Sequence, residues 1–161
     1  MEQPVLLNRV LHHFGYLMNE YGFSVVSQGY DYDKPFGSRI VVLQSKECRV
    51  RFARDRGQVD IAAATLSRPE DWFDLAIITA YLMGEDRVQW EYIAPDHSLN
   101  PAARMDKQVR RLADILKPYW EQIIALFRQE NFEQKIDDLD AFIVRWNTQI
   151  LKDRRGINPF G

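Results

Sequence analysis

The sequence predicts an α+β domain: an antiparallel β-meander of three to five strands packed against helices, with a helical hairpin at the C-terminal end. Three observations predict it. Between residues 38 and 64 the segments SRIVVLQS, ECRVRFAR and QVDIAAA alternate apolar and polar residues with period 2, the spacing that sends successive side chains to opposite faces of a strand. On either side of this meander apolar residues recur at spacings of three and four, as on one stripe of a helix. The segments are separated by turn and cap residues: Gly22, Gly57, Gly84, and Asn100 followed by Pro101.

Taken in order, residues 5–21 place Leu7, Val10, Leu11, Phe14, Leu17, Met18 and Tyr21 on one stripe, and Gly22 ends that helix. Residues 23–27 read as a short first strand, and residues 29–37 as a connecting loop. Tyr30, Tyr32 and Phe36 in this loop are candidates for a binding surface, because tyrosine offers large contact area at low entropic cost. Folding back on the sheet edge is the equal alternative. Within the meander Cys48, Val50 and Phe52 point one way, and Arg49, Arg51 and Ala53 the other. A two-residue loop at Arg56 and Gly57, with glycine where a hairpin needs positive φ, sets Phe52 opposite Ile61 and Val50 opposite Ala63. A slip of one residue would put Phe52 opposite Asp60 and expose half the core.

Ser67 and Glu70 have capping-box spacing and Pro69 suits a first helical turn, which predicts a helix over residues 68–83. Its apolar residues cover most of the circumference, so it is expected to be contacted on more than one side and is the candidate central helix. Val88, Trp90 and Tyr92 alternate with polar neighbours in a fifth short strand or an extended loop. Asn100 and Pro101 form a cap and first position, after which Met105, Val109, Leu112, Leu116, Tyr119, Ile123 and Leu126 hold a helical period. Pro118 removes a backbone donor and crowds the preceding turn, so this helix is expected to kink or split near Lys117. Ile136, Leu139, Ile143, Trp146 and Ile150 set a last helix over residues 131–151, and the tail DRRGINPFG is expected to be loosely held. The loops are too short for independent units, so residues 1–161 form one domain: a helix-meander-helix part over 1–99 and a helical hairpin over 100–152.

A chain of 161 residues, 46% of them apolar, has the material for one core. Its 21 basic and 23 acidic residues give a net charge of −2, which argues against whole-molecule attraction to nucleic acid or to anionic lipid. The charge is uneven: residues 67–100 hold two basic and seven acidic side chains, an acidic run that is either a partner surface or a solvated face. The one cysteine, Cys48, lies on the apolar face of its strand and excludes an intramolecular disulfide, which fits a reducing, cytoplasmic setting. The opening MEQPVLLNRVLHHF lacks the flank, apolar run and cleavage site of a signal peptide, and no stretch approaches the roughly 20 apolar residues of a membrane span.

No residues stand out as catalytic. His12 and His13 point about 100° apart on a helix and have no ligand four positions away, which disfavours a shared metal. His97 lies beside Asp96 and Ser98, but adjacency in sequence does not make a triad. Asp137, Asp138 and Asp140 sit on a helix without calcium-loop spacing. The chain has no glycine-rich phosphate loop, nucleophile elbow or cysteine pair, so neither metal nor other cofactor is expected. Arg49 and Arg51, with Arg54 and Arg56 nearby, are the chief candidates for recognition. On the outward face of a central strand, with Asp60 the only nearby carboxylate in that register, they suit an acidic partner or a phosphate backbone. Otherwise they are solvated polarity, or are covered by the C-terminal helices and neutralised by their carboxylates.

The order of a helix ending in YGF, an aromatic loop, SRIVVLQSKECRVRFARDRGQVDIAAA and then PEDWFDLAIITAYL resembles small bacterial proteins of uncharacterised function, some of them similar to immunity proteins of toxin systems. The resemblance covers residues 5–84 and implies an architecture and no chemistry. The expected function is non-enzymatic binding of another protein, with immunity-type inhibition of a toxin as one specific form. The alternatives are a small enzyme whose site is assembled from dispersed residues, favoured by a deep pocket joining His97 or His13 to carboxylates, and a nucleic-acid-binding module using the Arg49/Arg51 strand, favoured by a continuous positive surface.

Overall fold

The computed structural model of the chain describes residues 5–31, 38–55, 57–84 and 98–157. Its frame is an antiparallel sheet of five strands in sequence order: β1 (Ser24–Asp31), β2 (Ser38–Gln44), β3 (Cys48–Asp55), β4 (Gln58–Thr65) and β5 (Phe73–Asp74). The β3–β4 register is the expected one: Phe52 lies opposite Ile61, Val50 opposite Ala63, and Asp55 opposite Gln58, while Arg56 lies outside the described residues. Gly57 has φ +80°, a conformation that a side chain disfavours. Ser45 closes the β2–β3 connection: its amide donates to the Cys48 carbonyl, and its hydroxyl accepts from the Glu47 and Cys48 amides.

Six helices accompany the sheet among the described residues: α1 (Val5–His13), α2 (Gly15–Tyr21), α3 (Leu75–Met83), α4 (Pro101–Leu116), α5 (Trp120–Phe127) and α6 (Gln129–Ile157). The single helix expected over residues 5–21 is split at Phe14, whose ψ of 20° leaves the helical range just ahead of Gly15, a poor helix former. The break seats the Phe14 ring edge-on to Phe52, centroids 4.8 Å apart, and against Trp120 at 6.3 Å. The buried stripe runs through Leu6, Val10, Phe14 and Leu17, while Leu11 is 42% exposed. Gly22 ends α2 at φ 74°, as its position implies.

Three element boundaries differ from the sequence expectation. Strand β1 continues to Asp31, so Tyr30 belongs to a strand and pairs with Arg39 instead of lying in a loop. Helix α3 begins at Leu75, not near Arg68, because Phe73 and Asp74 first pair with Ala63 and Ala62 as β5, and the Asp74 carboxylate then caps α3 by accepting from the Ala76 amide at 2.8 Å. Ser67 caps nothing; its hydroxyl lies 3.3 Å from that of Thr65, which accepts from the Arg68 amide. Helix α6 runs to Ile157, well past residue 151. The alternating stretch Val88 to Tyr92 lies outside the described residues, and the fifth strand is Phe73–Asp74.

The break at Pro118 is present: a 3-10 turn, Lys117–Tyr119, separates α4 from α5. Asn100 caps α4, accepting from the Ala103 amide at 2.8 Å. Both helices lay their apolar stripes on the same sheet face as α1, so Val41, Leu43, Val50, Phe52, Ile61 and Ala63 share one core with Met105, Val109, Leu116, Trp120, Ile123 and Phe127. Helix α3 is contacted on two sides: Leu75 and Ile78 join that core, and Ala80 packs with Phe142 and Trp146 of α6.

One buried amide ties sheet to helix. Gln108 of α4, 2% exposed, accepts from the Val59 amide at 3.1 Å and donates to the Gly57 carbonyl at 2.7 Å. Along this part of β4 the described β5 offers no partner, since its pairing stops at Ala62. Gln108 therefore takes the place of a neighbouring strand and satisfies backbone groups whose burial unpaired would be costly.

Two outcomes follow for stability. Phe52→Ala is expected to cost about 3–5 kcal/mol by emptying the centre of the core, read as a lower denaturant midpoint; an unchanged midpoint would show the register to be wrong. Gln108→Leu keeps the volume but strands the Val59 amide and the Gly57 carbonyl, and is expected to cost about 2–3 kcal/mol with faster hydrogen exchange at Val59.

Candidate functional site

The sheet face away from the core is set by the same alternation that builds the core. Its rows run Gln44, Arg49, Ala64; Val42, Arg51, Ala62, Asp74; and Ile40, Ala53, Asp60. Arg49 and Arg51 thus stand side by side, each next to an alanine on β4. The alanines leave room, and residues 67–72 lie across it as a strap. The Trp72 ring receives both guanidiniums, with the Arg49 and Arg51 Cζ atoms 5.4 and 4.9 Å from its centroid. Arg49 also donates to the Pro69 carbonyl at 2.7 Å and pairs with Glu70 at 3.3 Å. The arginine side chain is 14% exposed and the glutamate 83%, so the carboxylate reaches in from solvent.

The two arginines differ in what they hold. Among the described residues Arg51 makes no hydrogen bond and no ion pair, and it lies on the indole face. The Nε atoms of both arginines are buried without an acceptor. Two carboxylates flank this region. The pKa of Asp60, opposite Ala53, is raised by partial desolvation, with Asp74 and Asp55 pushing the same way and Arg51 opposing them. That of Asp74 is raised by burial, opposed by its bond from the Ala76 amide. Arg51 thus offsets the desolvation of Asp60 only in part, and among the described residues neither acid pairs with it directly.

The arginines expected to share an outward face do share it, but their cover is the 67–72 strap and not the C-terminal helices. The capping-box spacing assigns Glu70 and Trp72 to a helix, which hides them from a reading of the sequence. The signal that points to them is the pair of small residues, Ala62 and Ala64, beside two arginines. Tyr30 lies on β1 at the far edge of the sheet, two strands from the arginines, and Tyr32 and Phe36 lie outside the described residues, as does His97.

Elsewhere, titratable groups make structural ties. His13 Nε2 and Asp106 Oδ1 are 2.7 Å apart, and Arg9 reaches the same oxygen at 3.2 Å, joining α1 to α4. The His13 bond holds the Asp106 carboxyl below its usual range, with Arg9 and Arg110 adding to it. Burial pushes the Cys48 thiol up to about 12, which leaves it a poor nucleophile. Among the described residues no group of three or more His, Cys, Asp or Glu side chains is placed to hold a metal ion, and no helix is long and apolar enough to cross a membrane.

Comparison of this chain with protein-family models, with curated proteins and with solved structures finds no match.

The raised pKa of Asp60 fixes the sign of a pH effect. A carboxyl that holds its proton more tightly when folded adds stability below its unfolded pKa and loses that contribution as pH rises through the folded value. Asp60→Asn is thus expected to gain stability over the wild type as pH increases across the carboxylate range, measured by urea unfolding from acid to neutral pH. A difference that stays constant with pH would show that Asp60 carries no such penalty.

Proposed function

We propose that the protein is a non-enzymatic binding domain for another protein, with immunity-type inhibition of a toxin as one specific form, and that the outward sheet face around Arg49, Arg51 and Trp72 is its recognition surface. The observation that carries this reading is Arg51: a half-buried guanidinium stacked on an indole, with its Nε lacking an acceptor. A buried donor left without an acceptor costs stability unless something else supplies one, and arginine and tryptophan are the side chains most enriched where interfaces concentrate their binding energy. A cytoplasmic setting is consistent with the single, buried, unreactive thiol of Cys48.

Nucleic-acid binding is less well supported, since Glu70, Asp60 and Asp74 stand around the arginines and break up any continuous positive surface. An enzyme assembled from dispersed groups finds its best nucleus in His13 and Asp106. There, however, the carboxylate is shared with Arg9 in a tie between helices.

The Arg49→Glu/Arg51→Glu double variant is expected to lose the partner captured by the wild type from the lysate of its own cells, while keeping a folded circular-dichroism spectrum. Capture of the same partner by a folded double variant would remove this face from consideration.

A further inference from the structure

We propose that Arg51 is the receptor for a carboxylate side chain of an acidic partner protein, and that Glu70 on the 67–72 strap is the chain's own competitor for the arginine face. This rests on the protein-binding reading above and deepens it. The two neighbouring arginines of β3 meet different fates although both guanidiniums lie on the Trp72 ring. Arg49 is supplied with acceptors from within the chain, the Pro69 carbonyl and the Glu70 carboxylate. Arg51 has none among the described residues, and its cross-strand neighbours, Val42 and Ala62, are uncharged and only 5% and 7% exposed. A fixed cation flanked by buried apolar groups is weakly screened, so an incoming anion gains more there than at an open surface.

The neighbouring acids decide which anion fits. Asp60 sits one row from Arg51, and Asp74 is in the same row beyond Ala62. Neither makes an ion pair with Arg51, and both keep a negative field on the β4 and β5 side. A nucleic acid brings a charge at every phosphate and cannot avoid that field, whereas a single carboxylate on a protein surface meets it at one point. The row geometry therefore favours one acidic side chain on a protein surface. Glu70 shows the mode of contact: an 83% exposed carboxylate resting 3.3 Å from Arg49 Nη1. An exposed ion pair of this kind is weak, so a partner carboxylate can displace it at small cost.

The test uses the full chain and an oligoglutamate peptide as the probe, followed by NMR of the arginine Nε–Hε groups at low salt. The expected result is a saturable shift of the Arg51 signal, with no shift from oligoglutamine. Arg51→Gln is expected to weaken binding at least about tenfold, the scale of a charge-assisted contact. Glu70→Gln is expected to tighten it roughly two- to fivefold, the range that release of one exposed ion pair allows. Both variants are checked for the wild-type unfolding midpoint. An Arg51 signal that ignores oligoglutamate, or that responds at lower concentration to a single-stranded oligonucleotide, overturns the carboxylate assignment. Unchanged or weaker binding by Glu70→Gln overturns the competitor role. If cellular capture still depends on Arg49 and Arg51 while oligoglutamate has no effect, only the partner chemistry has failed; if capture is indifferent to both arginines, the recognition surface itself has failed.

Discussion

The pairing of β3 with β4 is the constraint on which the rest of the structure depends. With Phe52 opposite Ile61 and Val50 opposite Ala63, the centre of one face of the hairpin is apolar and the other face carries Arg49, Arg51 and Asp60. Strand side chains alternate, so a shift by one residue would send the arginines into the core and Phe52 into water. Every later contact presupposes this choice. Phe14 and Trp120 pack where Phe52 projects, α4 and α5 lie on the face that Phe52 defines, and the 67–72 strap crosses the face that it leaves free.

Around that hairpin the molecule handles exposed backbone in two ways. At the tip of β4, where none of the described strands continues the sheet, the buried side chain of Gln108 supplies an acceptor and a donor in place of a neighbouring strand. At the far edge, β1 has an irregularity between Val25 and Ser27, a local distortion that makes an open edge a poorer template for another chain. Both devices act on backbone hydrogen bonding. In the first a helix is fixed to the sheet as a result, because Gln108 is also part of the α4 surface that faces the core.

The outward face shows how one set of local preferences yields to another. Residues 67–72 carry Ser67, Pro69 and Glu70 at spacings that suit a helix start, and in an isolated peptide they would compete for one. In the folded chain Asp74 takes the capping role, and Glu70 and Trp72 are turned to the arginines. The cap moves from Ser67 to Asp74 because Phe73 first joins the sheet and packs with Phe127 and Phe132. Packing of that partly buried ring outweighs the local preference for an earlier helix start, and Asp74 still supplies a cap.

By itself the sequence determined the α+β class, the strand order from β2 to β4 and their register, the cap at Asn100 and the break at Pro118. Each of these is a local matter: a period of two, a glycine with positive φ, a missing amide proton. It also placed Arg49 and Arg51 together, since alternation alone puts residues two apart on one face. Tertiary structure alone decided the split at Phe14, the late start of α3, the length of β1, the partnership of Gln108 with Gly57 and Val59, and the seating of Trp72 over the arginines. These join residues distant in the chain or set one local signal against another, and the outcome rests on which arrangement buries more apolar surface and leaves fewer polar groups unpaired. The candidate site was half legible for the same reason: its arginines follow from strand period, whereas the indole and carboxylate that distinguish Arg49 from Arg51 come from a segment about twenty residues away whose own signals pointed to a helix.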